Sequence, residues 1–497
     1  METVWVLGDQ LNRNIGALAA AKPGEARVLL VESAAKLASK PFHRQRSHLV
    51  IASMRRFAEE LRRTGFEVDH RQADSLKAGL ALHRQEFRPE RVVATEPLSW
   101  DSDDLLRRLD VELVRSNQFL CHRDDFAAWA DGQGAKRLLM EDFYRWQRRR
   151  LGYLMDGDQP AGGRWNFDTD NRQPPPRDGG SWPEPVRSRL DEVDRGVLAD
   201  LPTTGVGEDP EGWWATSRRA ALIRLRHVMD DVLPRFGPHE DAMLAGNWHL
   251  AHSMLSHALN IGLLLPGEVC DAAEAAYRQG RVPLASAEGF VRQIIGWREY
   301  VWGLYWRWMP AYRDRNHLNN RRTLPPVFRG EATTDMRCLA TTLDGVRKRG
   351  WVHHIQRLMV LSNLAMLAGI RPGEMVDWMW ASFVDGAEWV MLPNVVGMGM
   401  WADGGAMATK PYAAGGAYIN RMSDYCGDCR FDPKKRTGDD ACPYTTLYWD
   451  FIARHEEQFA GNYRMAQPVR GLERLGDLED VRERAADVLQ LLEEGRL

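Results

Sequence analysis

Cys426-Gly427-Asp428-Cys429 is a C-x-x-C pair, followed by Cys442-Pro443 and preceded far upstream by Cys338. Two thiolates separated by two residues can bind one metal centre from a single turn, and two more complete a four-sulfur shell. Three chemistries are open to such a set. A redox dithiol is one, but no thioredoxin-like βαβ pattern surrounds the motif. Structural zinc is the second, although such sites often use two C-x-x-C knuckles and here two ligands stand alone. An iron–sulfur centre is the third, and a lone cysteine before proline suits it. Cys121 and Cys270 lie outside the pattern and read as ordinary buried cysteines.

A second group of chemistry-bearing residues is aromatic and basic. Phe290-Val291-Arg292-Gln293-Ile294-Ile295-Gly296-Trp297-Arg298-Glu299-Tyr300 continues to Trp302, Tyr305, Trp306 and Trp308. Aromatics at helical spacing either pack a core or wall a flat π ligand. Arg298 favours the wall, because a buried guanidinium needs an anionic or acceptor partner. His353-His354-Ile355-Gln356-Arg357 opens another apolar helix. Adjacent histidines on a helix point about 100° apart, so one suits a core position and the other a proton donor. Trp378, Trp380, Trp389 and Trp401 crowd a short interval, as packing or as steps for electrons. Basic groups at 145–150, 321–322, 347–349 and 434–436 are solvated faces or contacts for a phosphate backbone.

These residues need elements to position them. Short apolar runs at 4–7, 28–31, 92–94 and 111–114 alternate with helical patterns, notably 47–63, so residues 1–130 read as an α/β unit with a parallel sheet. From 131 to 215 lies an interdomain connector; its 156–212 stretch is rich in Gly and Pro, with room for a short helix at 186–199. It is either ordered by packing on its neighbours or a flexible tether. Residues 216–497 read as all-α, with helices expected at 216–233, 240–263, 268–279, 286–308, 334–348, 351–369, 372–384, 443–458 and 480–493. The 497 residues carry 66 Lys+Arg against 69 Asp+Glu, a charge of -3, so no global basic excess advertises nucleic acid. The first residues, Met1-Glu2-Thr3-Val4-Trp5, lack the charged start and long apolar run expected of a signal peptide, and no apolar stretch approaches membrane-spanning length. Six cysteines in this length suit cytoplasmic thiols or metal ligands rather than a disulfide scaffold. The 19 Trp exceed both the 15 Phe and the 12 Tyr, an excess that asks for a reason beyond packing.

Several motifs together carry a resemblance. They are Leu7-Gly8-Asp9-Gln10-Leu11, Gly162-Gly163-Arg164-Trp165-Asn166-Phe167-Asp168, the stretch Phe290 to Tyr300 with its Trp-Arg-Glu, and His353-His354-Ile355-Gln356-Arg357-Leu358-Met359. Lys410-Pro411-Tyr412 and the run Tyr418 to Cys426 complete the set. With the α/β–connector–helical order, the chain resembles the photolyase/cryptochrome superfamily. Within it, the nearest likeness is to the iron–sulfur bacterial cryptochromes and photolyases, which include the prokaryotic (6-4) photolyases.

That resemblance implies a bent FAD in the helical half and a [4Fe-4S] cluster on Cys338, Cys426, Cys429 and Cys442. His252, Ser253, Leu255 and Ser256 match the loop that holds the flavin's phosphates and ribityl chain, with Arg298, Asn363, Asp385 and Asn394 as further contacts. Its implied activity is light-driven repair of (6-4) photoproducts in UV-damaged DNA, the lesion being flipped out of the duplex. His354 would supply the proton, with His353 orienting it. Tyr412 and Tyr418 match lesion-pocket tyrosines. Gln293 resembles the glutamine near the lesion, though it stands four residues before Trp297, one more than usual. Trp378 matches an electron-feeding residue. Met379 replaces the Tyr expected beside it and Gly330 a further expected Trp, leaving Trp380, Trp389 or Trp401 as other feeders, and Met391 stands where a relative has Glu. Asp9 and Glu32 match a 6,7-dimethyl-8-ribityllumazine antenna site, whereas Lys36 and Ser39 do not, so the antenna stays open. The resemblance implies a monomer without membrane association. Two rival readings remain: a cryptochrome-type blue-light photoreceptor, and a zinc-stabilised DNA-binding module without redox chemistry.

Overall fold

The computed structural model describes residues 1–497. Five strands, β1 (Glu2–Trp5), β2 (Ala26–Ser33), β3 (Glu67–Ala73), β4 (Val92–Thr95) and β5 (Glu112–Val114), form one sheet in the order β3-β2-β1-β4-β5. Every pairing is parallel, with Val4 opposite Val28 on one side and Val93 on the other. The apolar runs explain the central strands: Val28, Leu29 and Leu30 are fully buried, as strands covered on both faces require. β3 is the strand with no apolar run. Its sequence Glu-Val-Asp-His-Arg-Gln-Ala fits a sheet edge, where half-exposed polar side chains are tolerated. Asp69 of β3 binds His83 Nδ1 at 2.6 Å, and His83 Nε2 meets Thr3 Oγ1 at 2.7 Å, so one buried imidazole ties β3, β1 and a covering helix together. The long helix between β2 and β3 is Arg44–Arg63, three residues longer at its start than its apolar pattern.

The 131–215 stretch is ordered by its neighbours rather than slack. Met140–Leu151 is a helix packed on the 292–298 segment, and Glu192–Asp200 is a short helix opened by an Asp191–Asp194 capping box. Arg56 reaches Asp191 at 2.7 Å and Asp194 at 2.9 Å, and His48 Nε2 meets Asp194 at 3.0 Å, fastening that helix to Arg44–Arg63. One apolar cluster runs from Val4 and Val28 beneath the sheet to Trp351 and Val384 in the helical half. Arg148, from a supposed basic face, is a fully buried strut donating to the carbonyls of Tyr153, Leu154 and Trp165.

The remainder is helical. The expected helix over 240–263 shrinks to Ser256–Asn260. Before it the chain is irregular: Asn247 Oδ1 accepts from the amides of His249 and Leu250, and Leu250 and Met254 take φ of +44° and +53°, which an α-helix cannot contain. Helices at Glu388–Pro393, Gly416–Met422 and Ala466–Leu472 were not marked by a long apolar period. Four stretches, Val228–Val232, Arg292–Arg298, Gln356–Ser362 and Asn394–Gly399, wind as π turns with i→i+5 hydrogen bonds. No helix is long and apolar enough to cross a membrane.

Candidate functional site

A cavity of about 370 Å³ opens among three of those π-wound stretches and the irregular 240–255 loop. The 290s helix contributes Gln293, Trp297 and Arg298, the 350s stretch His353, His354 and Arg357, and the 390s stretch Trp389, Met391 and Asn394. His252, Ser253, Leu255, Ser256 and Asp385 line the same space. The sequence-derived residues therefore converge, with four exceptions. Asn363 is fully buried away from the wall; its amide donates to the carbonyls of Met359 and Ala414 and accepts from the Ala414 amide. Trp378 does not line the cavity, although its neighbour Met379 does, and it donates its indole N–H to the Phe328 carbonyl at 2.7 Å. Tyr412 and Tyr418 lie outside the cavity, both in the field of Asp241 and Arg172.

The loop is held by an ion pair. Arg357 meets Asp385 through two bonds of 2.9 and 3.1 Å, while Ser256 Oγ donates to Asp385 at 2.6 Å and Asn260 donates to its backbone carbonyl at 2.8 Å. Burial alone would raise the Asp385 carboxyl, but the Arg357 charge and these hydrogen bonds hold it below its usual range. Arg298 is different. It donates to Asn260 Oδ1 at 2.6 Å and to the Leu259 carbonyl, its Nε has no partner, and no carboxylate touches it. Burial pulls its pKa down to about 10, with Glu299 opposing. Its guanidinium stacks on Phe119 and Trp389, 4.5 and 4.7 Å from their centres. A buried cation with an unused donor, aromatic walls and the free Oδ1 of Asn394 suit a flat, anionic, heteroaromatic ligand.

The paired histidines differ in kind. His353 is 2% exposed, stacks on His252 at 4.5 Å, and has no hydrogen-bond partner on either ring nitrogen. Burial, with the neighbouring His252 and His354, pushes its pKa well down, so its imidazole is neutral. The His354 side chain is half exposed, and its Nε2 meets Asp241 Oδ1 at 3.2 Å. Burial opposes its charge, but the Asp241 hydrogen bond and the carboxylates of Asp241 and Glu240 outweigh it and raise the pKa. Glu240, also on the cavity wall, is pushed by burial up to about 7. Reading 240–263 as a helix hid Glu240 and Asp241, whose only sequence signal is a Glu-Asp pair after Gly237-Pro238-His239. Charged His354 can donate from Nδ1 while Asp241 occupies Nε2. Asp241→Asn should therefore shift the alkaline fall of any His354-dependent activity to lower pH, a change read from the pH–rate profile.

The four cysteines meet elsewhere. Cys338 on the helix Arg337–Arg349, Cys426 and Cys429 on one turn, and Cys442 capping Pro443–Arg454 line a small apolar space with Phe431, Tyr425 and Tyr444. Cys121 and Cys270 are fully buried elsewhere. Gly416 is required here: a Cβ would stand 2.8 Å from Cys442 Sγ and 3.1 Å from the Pro433 backbone. Gly416→Ala should thus displace Cys442 and lower the metal content of purified protein, measured against the flavin content of the same sample.

Comparison with known proteins places the chain in a family. Residues 4–207 match the family described as deoxyribodipyrimidine photo-lyase-related protein. A (6-4) photolyase of Agrobacterium fabrum is 41% identical over 513 residues, covering 99% of this chain and 100% of the relative. In fold, the chain is similar to a bacterial class III photolyase of Agrobacterium tumefaciens, with TM-score 0.57, 17% identity and coverage of 99% and 98% of the two chains. It is likewise similar to a Synechocystis cryptochrome, with TM-score 0.57, 14% identity and coverage of 98% and 99%. Fold and full-length identity agree, and the chain belongs to the (6-4) photolyase family of the photolyase/cryptochrome superfamily.

Proposed function

We propose that this chain repairs (6-4) pyrimidine photoproducts in UV-damaged DNA, using light and reduced FAD. The observation that carries the reading is one cavity lined both by His354, paired with Asp241, and by an Arg298 that no carboxylate touches. Arg298 and Asn394 would hold the flavin ring, and His252, Ser253 and Ser256 its polar chain. Bound and reduced, FAD supplies one light-excited electron. The Asp385–Arg357 pair keeps the loop in place, and the apolar wall excludes water. Charged His354 gives its Nδ1 proton to the lesion oxygen as negative charge develops there, and Asp241 steadies the ring through Nε2. Neutral His353 packs behind His354 without competing for that proton. Tyr412 and Tyr418, within the field of Asp241 and Arg172, are suited to flank the everted bases.

We also assign a [4Fe-4S] cluster to the four cysteines, because four thiols share one apolar space from three separate segments. A ribityllumazine antenna lacks this support. The Glu32 carboxylate is already taken by Arg55, His70 and Gln72, and Ser39 Oγ donates to the Lys36 carbonyl. Six unpaired cysteines suit a reducing compartment such as the cytoplasm. The test is direct: chemically reduced, illuminated protein should convert a (6-4)-containing oligonucleotide to undamaged bases. Persistence of the lesion with flavin bound would leave the photoreceptor reading, which Met379 and Met391 on the wall favour. A colourless protein would leave the zinc module.

A further inference from the structure

Three imidazoles crowd one part of the cavity wall, those of His252, His353 and His354. One ring nitrogen of each lies within 4.8 Å of one ring nitrogen of both others. The rings of His252 and His353 stack at 4.5 Å, and His354 stands edge-on to them at 5.5 and 6.2 Å.

Protein groups leave these rings unsatisfied. Both ring nitrogens of His353 and Nε2 of His252 are buried without a partner. A neutral imidazole has one N–H to donate and one lone pair to fill, so His353 leaves both unmet, which is costly in a buried place. The other buried histidines each bond through at least one nitrogen, as His48 does to Asp194 and His257 to the Ala215 amide. What the cluster lacks is a shared partner able to accept several nitrogen lone pairs.

The surrounding charges admit a cation there. Arg357 is neutralised by Asp385 at 2.9 and 3.1 Å, and the carboxylates of Glu240 and Asp241 both act on His354. Asp241 meets His354 Nε2 at 3.2 Å, which leaves Nδ1 for another partner. A carboxylate on the far nitrogen is the usual support of a metal-binding histidine. Nitrogens about 2.1 Å from one tetrahedral ion stand about 3.4 Å apart. Small side-chain rotations must therefore draw the three inward, and the open space beside them allows this. Three imidazoles suit a zinc-type ion with its fourth position open, whereas magnesium and calcium prefer oxygen ligands.

Resting on the reading above, we propose that His252, His353 and His354 form a site for a divalent transition-metal ion such as zinc, and that filling it switches repair off. When the ion binds, the Nδ1–H bond of charged His354 breaks, the proton leaves to water, and the freed lone pair forms the bond to the metal. Nothing is oxidised or reduced. Ion and catalytic proton then exclude each other on the same nitrogen.

The experiment titrates zinc into cluster- and flavin-loaded protein in thiol-free buffer, against a chromogenic chelator, for wild type, H353A, H354A and D241N. Wild type should bind one zinc ion with its iron and flavin contents unchanged. D241N should weaken zinc binding about 10–100-fold, and loss of a histidine ligand should weaken it at least as much. Zinc, but not magnesium, should lower repair by the chemically reduced wild type toward the level of H354A, and chelation should restore it. Equal zinc affinity in wild type, H353A and H354A overturns the site, as does zinc uptake only as iron is lost, which would place the ion on the cysteines. Full repair with zinc bound overturns the switch. Should H353A fail to fold, H354A decides, since that side chain is half exposed. If zinc-free, reduced wild type fails to repair while H354A still loses zinc binding, the repair reading falls and the metal site stands.

Discussion

Replacing His354 by alanine is expected to lower repair about 10²–10⁴-fold while flavin remains bound, the range over which a positioned proton donor accelerates a reaction. Flavin retention follows from geometry, since His354 shares no hydrogen bond with Arg298, Asn394 or the Asp385–Arg357 pair. The sign of the pH dependence follows as well. The His354 pKa lies above its ordinary 6.5, because Asp241 and Glu240 outweigh burial. The active, charged form is present below that raised pKa, and repair falls as pH rises through it. Single-turnover repair of a (6-4) oligonucleotide by chemically reduced protein, across pH, measures both effects. A wild-type rate in His354→Ala would move the proton donor to another group, with Glu240 the first to examine.

The second large effect is structural. Arg357→Leu should release the 253–256 loop and empty the flavin cavity. Asp385 is 7% exposed at its side chain and Arg357 18%, so removing the arginine strands a buried carboxylate. Breaking such a pair costs about 3–5 kcal/mol. The expected readouts are a flavin-to-protein absorbance ratio far below wild type and a lower melting temperature. Asp385→Asn should be milder, because Ser256 can still donate to the amide oxygen. The same pair sets an acid limit: the Asp385 carboxyl is held below 3.8, so its stabilisation is present above that value and is lost as pH falls through the folded pKa. Arg357→Leu retaining full flavin at wild-type stability would contradict this account.

Much of this organisation can be read from residues alone, and the exceptions have physical causes. Central strands are legible because apolar runs are what a doubly covered sheet demands. β3 is not, because an edge strand keeps its polar residues and relies on His83 and its partners. The cysteine set is legible from spacing, whereas the neighbours that fit it together, such as Gly416, carry no motif of their own. Helical period misleads at 240–263, where apolar residues recur but positive φ at Leu250 and Met254 turns the chain into a loop. Arg357 stood inside a noticed motif, yet its role depends on Asp385, 28 residues away, and no local pattern joins them. The His353/His354 contrast is half legible: the division of roles follows from helix geometry, but the charge on His354 comes from Asp241, distant in sequence.

The wound stretch Arg292–Arg298 also bears on the spacing of Gln293 and Trp297, which stand four residues apart where the resemblance leads one to expect three. A turn closed five residues on holds one more amino acid than an ordinary one. The lengthening is thereby absorbed locally, and the downstream Trp297 and Arg298 keep their aim at the cavity. Such a turn acts as a slack link inside an otherwise regular helix. Deleting Ile294 would tighten it and rotate Gln293 by about 100° relative to Trp297.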